Sequence, residues 1–495
     1  METNAQKRWL ALYILCLGDI MIVLDSTIVN VALPSIRADL GFSQASLAWV
    51  VNAYLLTFGG FLLLGGRLGD LYGQRRLFLI GIVLFTSASL ACGLAGSQEF
   101  LIGARAVQGL GGAIVSVVVL SLIMIMFTEP AERAKAMGVV GFVLSGGGTA
   151  GVLLGGVLTD VLSWHWIFLV NIPVGVAVFA LCVILLPADG KRADERPSLD
   201  VAGAVTVTAA LMLATYAIVN GNETGWTSGE TLGLLAGAAV LLAVFLTIES
   251  RVSSPLMPLG LFRFRNLSTA NAIGVLMAAA MFGWFFFSAL YLQQVLGYSP
   301  LEVGLAFLPS TLVWGASSLA VSDKLIVRYG IKVPMIAGLL LFVIGLLLFA
   351  RAPVDGSFAL DVLPGMILLG FAGGITFNPI LMAAMGDVSP TEAGLASGIV
   401  NTAFMMGGAL GLAVLASLAA SRTDSGLASG DATAAALNSG FHAAFLGGAA
   451  FAVVGAVLAA VLLHPTAAPA HGEGAATADQ AGGEALPEEQ GAAAR

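Results

Sequence analysis

Apolar stretches of about twenty residues follow one another along almost the whole chain, and they constrain its fold more than any other feature. Inside a bilayer every backbone N–H and C=O must be bonded within the protein, so a stretch of this length spans as a helix. Only 10% of the residues are charged and the mean hydropathy is +0.96. The sequence therefore predicts an all-α polytopic membrane protein with fourteen transmembrane helices. The predicted spans are centred near Met21, Leu55, Leu84, Ile114, Gly148, Val176, Ala209, Ala239, Met281, Leu312, Leu340, Gly370, Met406 and Val453.

Basic residues are distributed unequally between the predicted loops. Seventeen of the 21 Lys and Arg residues fall on the side of the N-terminus, whereas Arg37, Arg351 and Arg422 fall on the other side and Arg105 lies within a span. Because Lys and Arg concentrate in cytoplasmic loops, both termini are predicted to be cytoplasmic. The excess of Arg over Lys, with abundant Ala and Gly, is typical of a GC-rich bacterial gene. We therefore expect a multi-pass protein of the bacterial cytoplasmic membrane.

The spans are predicted to fall into three groups of six, two and six helices. Residues 1–190 form an N-terminal six-helix bundle, residues 191–268 a linker with two inserted transmembrane helices, and residues 269–464 a C-terminal six-helix bundle. Repeated bundles of this kind recur in transporters. Residues 465–495 are rich in Ala, Gly, Glu and Pro without apolar periodicity, which predicts a disordered cytoplasmic tail.

Several motifs within this pattern resemble a known transporter family. Residues 66–76, GRLGDLYGQRR, resemble the loop motif of the major facilitator superfamily, and residues 101–113, LIGARAVQGLGGA, resemble its helix-4 motif. Residues 24–34, 164–175 and 291–309, together with the fourteen spans, resemble the drug:proton antiporters of that superfamily. The resemblance implies a proton-coupled antiporter that exports amphiphilic drug-like or antibiotic molecules by alternating access.

The resemblance also implies a gating or conformational role for residues of the loop, helix-4 and helix-5 motifs. These residues are Gly66, Asp70, Gly73, Arg75, Arg76, Gln108, Gly109, Gly151, Gly155 and Gly156. In the helix-5 motif, Val152 stands where the family usually has a proline, which leaves a helix kink there without its usual cause. For Asp70, Arg75 and Arg76 two interpretations stay open: a solvated cluster of loop charges, or a latch between the bundles.

Two charged residues within the apolar spans are the strongest candidates for proton coupling. Asp25 is predicted about seven residues from the outer end of span 1, and Arg105 at a similar depth in span 4. Charged groups inside a membrane are costly unless paired, and they are usually functional. Burial favours a neutral aspartate whereas a nearby arginine favours the charged form, so motion that separates the pair couples proton uptake to conformation. The alternative is a static ion pair that fixes helix packing.

A second aspartate competes with Asp25 for the same role. Asp19 lies six residues earlier, nearer the middle of span 1. It is either a further coupling acid or a protonated group that hydrogen-bonds to a neighbouring helix.

Seven glycines crowd residues 141–156, and no charged residue falls among them. Gly147, Gly151 and Gly155 recur every four residues, which places them on one helix face. Such a face lets another helix approach closely. We expect it to face a helix of the second bundle and to seal the cytoplasmic half of the pathway; the alternative is an ordinary packing surface.

Substrate recognition leaves the weakest signal. Aromatic and amide residues in spans 2 and 9 provide the mixed surface that suits amphiphilic molecules. The candidate pocket residues are Asn52, Tyr54, Trp284, Phe285, Tyr291 and Gln294. For Trp284 and Phe285, aromatic side chains that face lipid near an interface are an equal alternative.

Other functional classes lack their sequence signals. The chain has no GxxxxGK[ST] motif, so ATP is not expected to be the direct energy source. Cys16, Cys92 and Cys182 fall in apolar runs and the four histidines are scattered, so no metal, cofactor or catalytic site is predicted. We expect a transporter and not an enzyme, with small amphiphilic molecules, protons and membrane lipid as partners and no nucleic acid. An exporter of an endogenous metabolite or lipid, such as a producer's self-resistance pump, is the alternative.

Overall fold

The computed structural model describes residues 2–127, 129–186, 200–252, 255–386 and 393–464. Within these segments all regular secondary structure is helical, and the long helices follow the apolar stretches of the sequence. The predicted linker before the inserted pair (residues 187–199) and the predicted tail (residues 465–495) lie outside the described residues.

Eight long helices make up the first half and the inserted pair. They are α1 (Glu2–Leu40), α2 (Trp49–Tyr72), α3 (Gln74–Gly93), α4 (Gln98–Met126), α5 (Pro130–Val161), α6 (Asn171–Leu185, preceded by the single turn Trp166–Leu169), α7 (Val201–Thr224) and α8 (Gly229–Arg251).

Six long helices make up the second half. They are α9 (Arg265–Leu290, extended by the π-helical turn Tyr291–Val295), α10 (Pro300–Ser317, continued through a π-helical turn to Tyr329), α11 (Lys332–Phe349), α12 (Leu363–Met385), α13 (Ala393–Ala428) and α14 (Thr433–Leu462).

The predicted fourteen membrane helices are confirmed. Within the described residues, thirteen helices are long and apolar enough to cross a membrane. The fourteenth is α5, which has 32 residues and whose described apolar part is Ala150–Val161. At 1.5 Å per residue α5 is about 48 Å long, more than the hydrocarbon core of a bilayer.

Both ends of the described chain lie on the same side of the molecule. Arg8 near the start of α1 forms an ion pair of 3.3 Å with Glu132 near the start of α5. After α14, the backbone N–H of His464 donates to the Oδ1 atom of Asn266 at the start of α9 (3.0 Å). Helices α1 and α9 start on the same side because their later parts meet, where the Nε2 atom of Gln293 donates to the carbonyl of Val31 (2.7 Å). We call this the terminus side, and the other the opposite side.

The two halves pack their helices in the same order. In the first half α1 packs on α5 and α6, and α4 packs on α2 and α3; in the second half α9 packs on α13 and α14, and α12 packs on α10 and α11. Between the halves α5 packs on α10 and α13 packs on α2. A two-fold axis that relates α1–α6 to α9–α14 produces this pattern.

The inserted pair lies outside this repeated arrangement. Helices α7 and α8 pack on each other, and α7 also packs on α2 and α13. The pair therefore covers the seam between the halves on the side of α2 and α13, while α5 and α10 form the seam elsewhere. Asp200 caps the start of α7 by accepting a hydrogen bond from the Gly203 backbone N–H (2.7 Å).

Candidate functional site

A fully buried ion pair lies inside the first half. The Nη1 atom of Arg105 on α4 lies 2.5 Å from the Oδ2 atom of Asp25 on α1, and the two side chains are 1% and 0% exposed. Among the described residues, the only other ion pair is the partly exposed Arg8–Glu132 pair. The pairing that the sequence predicted is therefore formed.

Two uncharged polar side chains donate further hydrogen bonds to the carboxylate of this pair. Gln108 donates to the Oδ1 atom of Asp25 (2.7 Å), as does Asn171 at the start of α6 (3.1 Å). Ser89 on α3 accepts from Gln108 and Asn171 and donates to the carbonyl of Phe168. Four helices, α1, α3, α4 and α6, thus meet in one buried network, which we call the Asp25 network.

Arg105 is held by more than the carboxylate. Its Nε atom donates to the carbonyl of Val50 on α2 (3.0 Å), and its Nη1 atom also donates to the Gln108 Oε1 atom (2.7 Å). The guanidinium carbon lies 4.4 Å from the ring centre of Tyr54 and 5.5 Å from that of Phe168. Such aromatic contacts stabilise a buried cation, so α2 also contributes to fixing the arginine.

Sequence reasoning missed Ser89 and Asn171. Asn171 belongs to a segment that was recognised only for its family resemblance, and Ser89 carried no signal at all. A polar residue in an apolar span is a weak signal unless it is ionisable, because serine and asparagine are tolerated in membrane helices through local or interhelical hydrogen bonds.

The predicted end of the first span near Val31 is wrong. Helix α1 does not end near Val31 but continues through Pro34 and Arg37 to Leu40. Asp25 therefore lies 15 residues from the end of the helix, or roughly 22 Å along its axis. The carboxylate is near the middle of the membrane span Gln6–Leu40, where an uncompensated charge is most costly.

Asp19 lies apart from the Asp25 network. Its side chain is 6% exposed and its Oδ1 atom accepts a hydrogen bond from Ser116 on α4 (3.1 Å). Within the described residues no basic side chain forms an ion pair with it. Asp19 is thus a buried acid without a cation, which fits the predicted alternative of a group bonded to a neighbouring helix.

The expectation for the glycine ladder is wrong. An added Cβ at Gly147 meets Val23, one at Gly151 meets Thr27 and Leu24, and one at Gly155 meets Ile28, all on α1 of the same half. A four-residue spacing defines a shared face but not the helix that the face meets. The ladder instead lets α1 lie directly against α5 next to Asp25.

Gly156, which follows the last glycine of the Gly147–Gly151–Gly155 ladder, faces the other half. A Cβ there would lie 2.6 Å from the carbonyl oxygen of Pro300 and 3.0 Å from the Cα atom of Leu301 on α10. In return, a Cβ at Gly304 would lie 3.0 Å from the carbonyl oxygen of Val152. The backbones of α5 and α10 are therefore in direct contact near the opposite side of the molecule.

Two glutamines close the same end between α1 and α9. The Nε2 atom of Gln293 donates to the carbonyl of Val31 (2.7 Å), and Arg37 donates to the Oε1 atom of Gln294 (3.2 Å). The π-helical turn Tyr291–Val295 carries both glutamines. These contacts and the α5–α10 contact form what we call the opposite-side seal.

Alanine at Gly156 should weaken the opposite-side seal, because its Cβ would overlap the Pro300 backbone. Overpacking of this kind costs about 1–3 kcal/mol in the sealed state, so the fraction of molecules with an open seal should rise roughly five- to one-hundredfold. In a Val31→Cys background, the buried thiol should then react with a maleimide faster by the same factor. The rate is measured on purified protein in lipid nanodiscs, where Cys16, Cys92 and Cys182 are buried. Gly148→Ala is the matched control, because a Cβ there meets open space. Equal rates in both variants would remove Gly156 from the seal.

The loop motif forms the tight turn between α2 and α3. Gly73 has φ 103°, a backbone conformation that favours glycine, and it ends α2 and precedes α3. The Nη2 atom of Arg75 donates to the carbonyl of Val183 on α6 (2.5 Å), and Arg76 is exposed. The side chain of Asp70 lies outside the described residues, so the predicted latch stays a prediction.

The two remaining motif glycines allow close contact between α2 and α4. A Cβ at Gly109 would overlap Thr57 and the carbonyl of Tyr54, and one at Gly66 would lie 3.1 Å from Val117. These positions therefore serve packing within the first half.

The structure shows which contacts each of the six candidate pocket residues makes, and their shared role in a substrate pocket stays a prediction. Tyr54 covers Arg105, Gln294 belongs to the opposite-side seal, and the Tyr291 hydroxyl donates to the carbonyl of Pro353 (2.7 Å). Trp284 and Phe285 both pack on Phe307 inside the second half. Trp284 is 1% exposed, so it is not a lipid-facing aromatic. Asn52 is fully buried, and neither amide atom has a hydrogen-bond partner among the described residues.

Comparison with known proteins places this arrangement in a family. Residues 15–412 match the sequence model of the family described as the Major Facilitator Superfamily.

Curated relatives cover almost the whole chain. Cephamycin export protein CmcT of Amycolatopsis lactamdurans is 38% identical over 453 residues, which are 91% of this chain and 92% of the relative. Puromycin resistance protein pur8 of Streptomyces alboniger is 38% identical over 92% of this chain and 90% of its own length. Multidrug resistance protein Stp of Mycobacterium tuberculosis is 39% identical over 82% of this chain and 74% of its own length.

Solved structures share the fold at low sequence identity. A mutant of the nucleoside transporter NupG matches with a TM-score of 0.65 and 14% identity, over 92% of this chain and all of that one. A bacterial homolog of the human lysosomal transporter Spinster, in an inward-facing and unoccupied conformation, matches with a TM-score of 0.63 and 16% identity, over 92% and 96% of the two chains.

Proposed function

Because this chain belongs to the Major Facilitator Superfamily, we propose that it exports amphiphilic drug-like or antibiotic molecules by proton-coupled alternating access. The membrane is proposed to be the bacterial cytoplasmic membrane, with the terminus side in the cytoplasm, as the distribution of Lys and Arg favours. The chemistry required is binding and movement, without catalysis, ATP or a cofactor.

The observation that carries the proposal is the buried Asp25–Arg105 pair. A carboxylate that is 0% exposed near the middle of a membrane span is stable only with a cation and hydrogen bonds around it. Proton binding at Asp25 neutralises it and weakens its hold on Arg105, Gln108 and Asn171. We infer that this step loosens α1 from α3, α4 and α6.

Helix α1 connects the proton site to the opposite-side seal. Asp25 and Val31 lie six residues apart, about 9 Å along the helix axis. Val31 and Arg37 hold the two glutamines of α9, so a shift of α1 strains the seal directly. The glycine face of α5 offers α1 a smooth surface for such a shift. Protonation from the outside would in this way favour one access state over the other.

The class of substrate is inferred from the relatives and from the fold. Relatives named for cephamycin export and puromycin resistance cover more than nine tenths of this chain, which favours antibiotic-like molecules. A producer's self-resistance pump fits the same relatives, and an exporter of another endogenous metabolite or lipid is the alternative.

The test is transport by purified protein in liposomes with an imposed pH gradient. A panel of dyes and antibiotics, with cephamycin C and puromycin included, is assayed for uphill movement into the acidic compartment. We expect at least one amphiphilic compound to accumulate, and a protonophore to abolish the accumulation. Movement that does not respond to any ion gradient would contradict proton coupling, and movement of lipid or a metabolite alone would favour the alternative.

A further inference from the structure

A cavity of about 340 Å³ lies between the inserted pair and the seam of the two halves. Gly60 of α2, Val207 of α7, Phe245 of α8, Val275 of α9 and Met406 of α13 line it. Its volume is within the range of small-molecule sites, and its walls are almost entirely apolar. None of the six pocket residues expected from the sequence lines it.

Two buried polar atoms in the cavity wall have no hydrogen-bond partner among the residues that the structure describes. The Oδ1 atom of Asn271 and the Oγ1 atom of Thr402 lack a hydrogen bond to any described residue, although the side chains are only 6% and 8% exposed. An unsatisfied buried polar atom is costly. Their position at the cavity, on α9 and α13, is therefore that expected of groups that bind a ligand.

Two buried carboxyl groups lie on α7 and α8, toward the terminus side from residues of these helices that line the cavity. Glu249 is four residues after Phe245 on α8, and Asp200 is seven residues before Val207 on α7, so each acid shares a helix face with a lining residue. Glu249 accepts from the backbone N–H of Met257 (3.1 Å), which also lines the cavity. These spacings place both acids toward the terminus side of the apolar cavity, which we call the chamber.

Neither acid is neutralised by a basic side chain within the part of the chain that the structure describes. Glu249 and Asp200 are 3% and 4% exposed, and each has one oxygen without a hydrogen-bond donor. The two carboxyl groups interact with each other, and a cation beside them would relieve the repulsion between their charged forms. The chamber thus combines an apolar body, two uncharged hydrogen-bonding groups and an acidic end.

We propose that this chamber binds an amphiphilic monocation, with its apolar body among α2, α7, α8, α9 and α13 and its charged group toward Glu249 and Asp200. The proposal rests on the proposed export of amphiphilic molecules and adds the position and charge of the substrate class. It also assigns a role to the inserted pair, because α7 and α8 form one wall of this binding site at the seam between the halves.

The experiment compares a cationic and a neutral dye. Binding of rhodamine 6G and of Nile red to purified protein in lipid nanodiscs is measured by fluorescence anisotropy, with empty nanodiscs as background. Glu249→Gln should raise the Kd of rhodamine 6G at least about tenfold and leave Nile red unchanged, because a charge is lost but the acceptor for Met257 is kept. Glu230→Gln, at the exposed start of α8, is the matched control and should change neither.

Filling the chamber should abolish the binding of both dyes. Ala403→Phe fills it from α13 and Ala272→Phe fills it from α9, and the variant whose thermal unfolding matches wild type is used. Thr402→Val is an isosteric third variant and should weaken rhodamine 6G binding, whereas Thr423→Val on the same helix should not. Wild-type protein that does not bind rhodamine 6G saturably, or filled variants that bind as wild type does, would overturn the chamber.

The chamber and the proposed function can fail separately. If the filled variants keep wild-type binding while the pH gradient still drives transport, the chamber is wrong and export stands. If wild-type protein transports nothing in a pH gradient, export is wrong, and the dye affinities of the variants still decide on the chamber.

Discussion

Asp25→Asn protein in sealed liposomes should exchange a transported compound across the membrane but fail to concentrate it. One-for-one exchange of a proton against a monocation is electroneutral and sustains about a tenfold concentration ratio per pH unit, and this ratio should fall to about one. Asparagine keeps the shape of the side chain and removes the group that carries the proton. Accumulation in the imposed pH gradient and exchange without a gradient are measured on the same preparation.

The variant should still fold, since Arg105 keeps three of its contacts. The Val50 carbonyl, the Gln108 Oε1 atom and the ring of Tyr54 remain around the guanidinium. Asp19→Asn is the matched control and should keep uphill transport, because Asp19 has no cation partner among the described residues. Uphill transport by Asp25→Asn at the wild-type rate would move the proton site elsewhere, with Asp19 the next residue to test.

Arg105→Ala should have the largest effect on stability. It leaves the Asp25 carboxylate buried with only Gln108 and Asn171 as donors. Removing one partner of a buried ion pair costs about 3–5 kcal/mol, and proton uptake by the orphaned carboxyl limits the loss. The free energy of unfolding in mixed micelles measures the cost. Arg422→Ala, whose side chain is exposed and bonds to Ser439, should change it by less than about 0.5 kcal/mol.

The same variant should hold Asp25 in its protonated form. Without the arginine, burial favours the neutral acid. Infrared difference spectra between Arg105→Ala and the Arg105→Ala, Asp25→Asn double variant should then show a protonated carboxyl band at neutral pH. An ionised Asp25 in this spectrum would contradict the role given to Arg105.

The membrane architecture follows from the sequence, and the contacts between helices do not. Span length, basic-residue distribution and motifs predicted fourteen helices, because bilayer thickness and backbone hydrogen bonding act locally along the chain. The sequence placed the end of the first span near Val31, but the helix continues to Leu40. The sequence did not show that Arg37 in this segment bonds to Gln294 of the other half.

For the candidate site, too, the sequence predicted single residues better than the helices that they contact. Asp25 and Arg105 were predicted to pair because each is costly alone in lipid. The helix predicted to contact the Gly147–Gly151–Gly155 face was wrong, because periodicity defines a helix face but does not identify the helix packed against it. The chamber was missed altogether: its walls are ordinary apolar residues of five helices, and only their meeting in space makes a cavity.

Proton release on substrate binding tests the central role of Asp25 most directly. In an antiporter that uses one buried acid, substrate binding and protonation exclude each other, so a transported compound added to purified wild-type protein in a weakly buffered solution should release protons. Asp25→Asn should bind the compound and release none, whereas Asp19→Asn should release protons as wild type does. Equal release by Asp25→Asn and wild type would contradict the account.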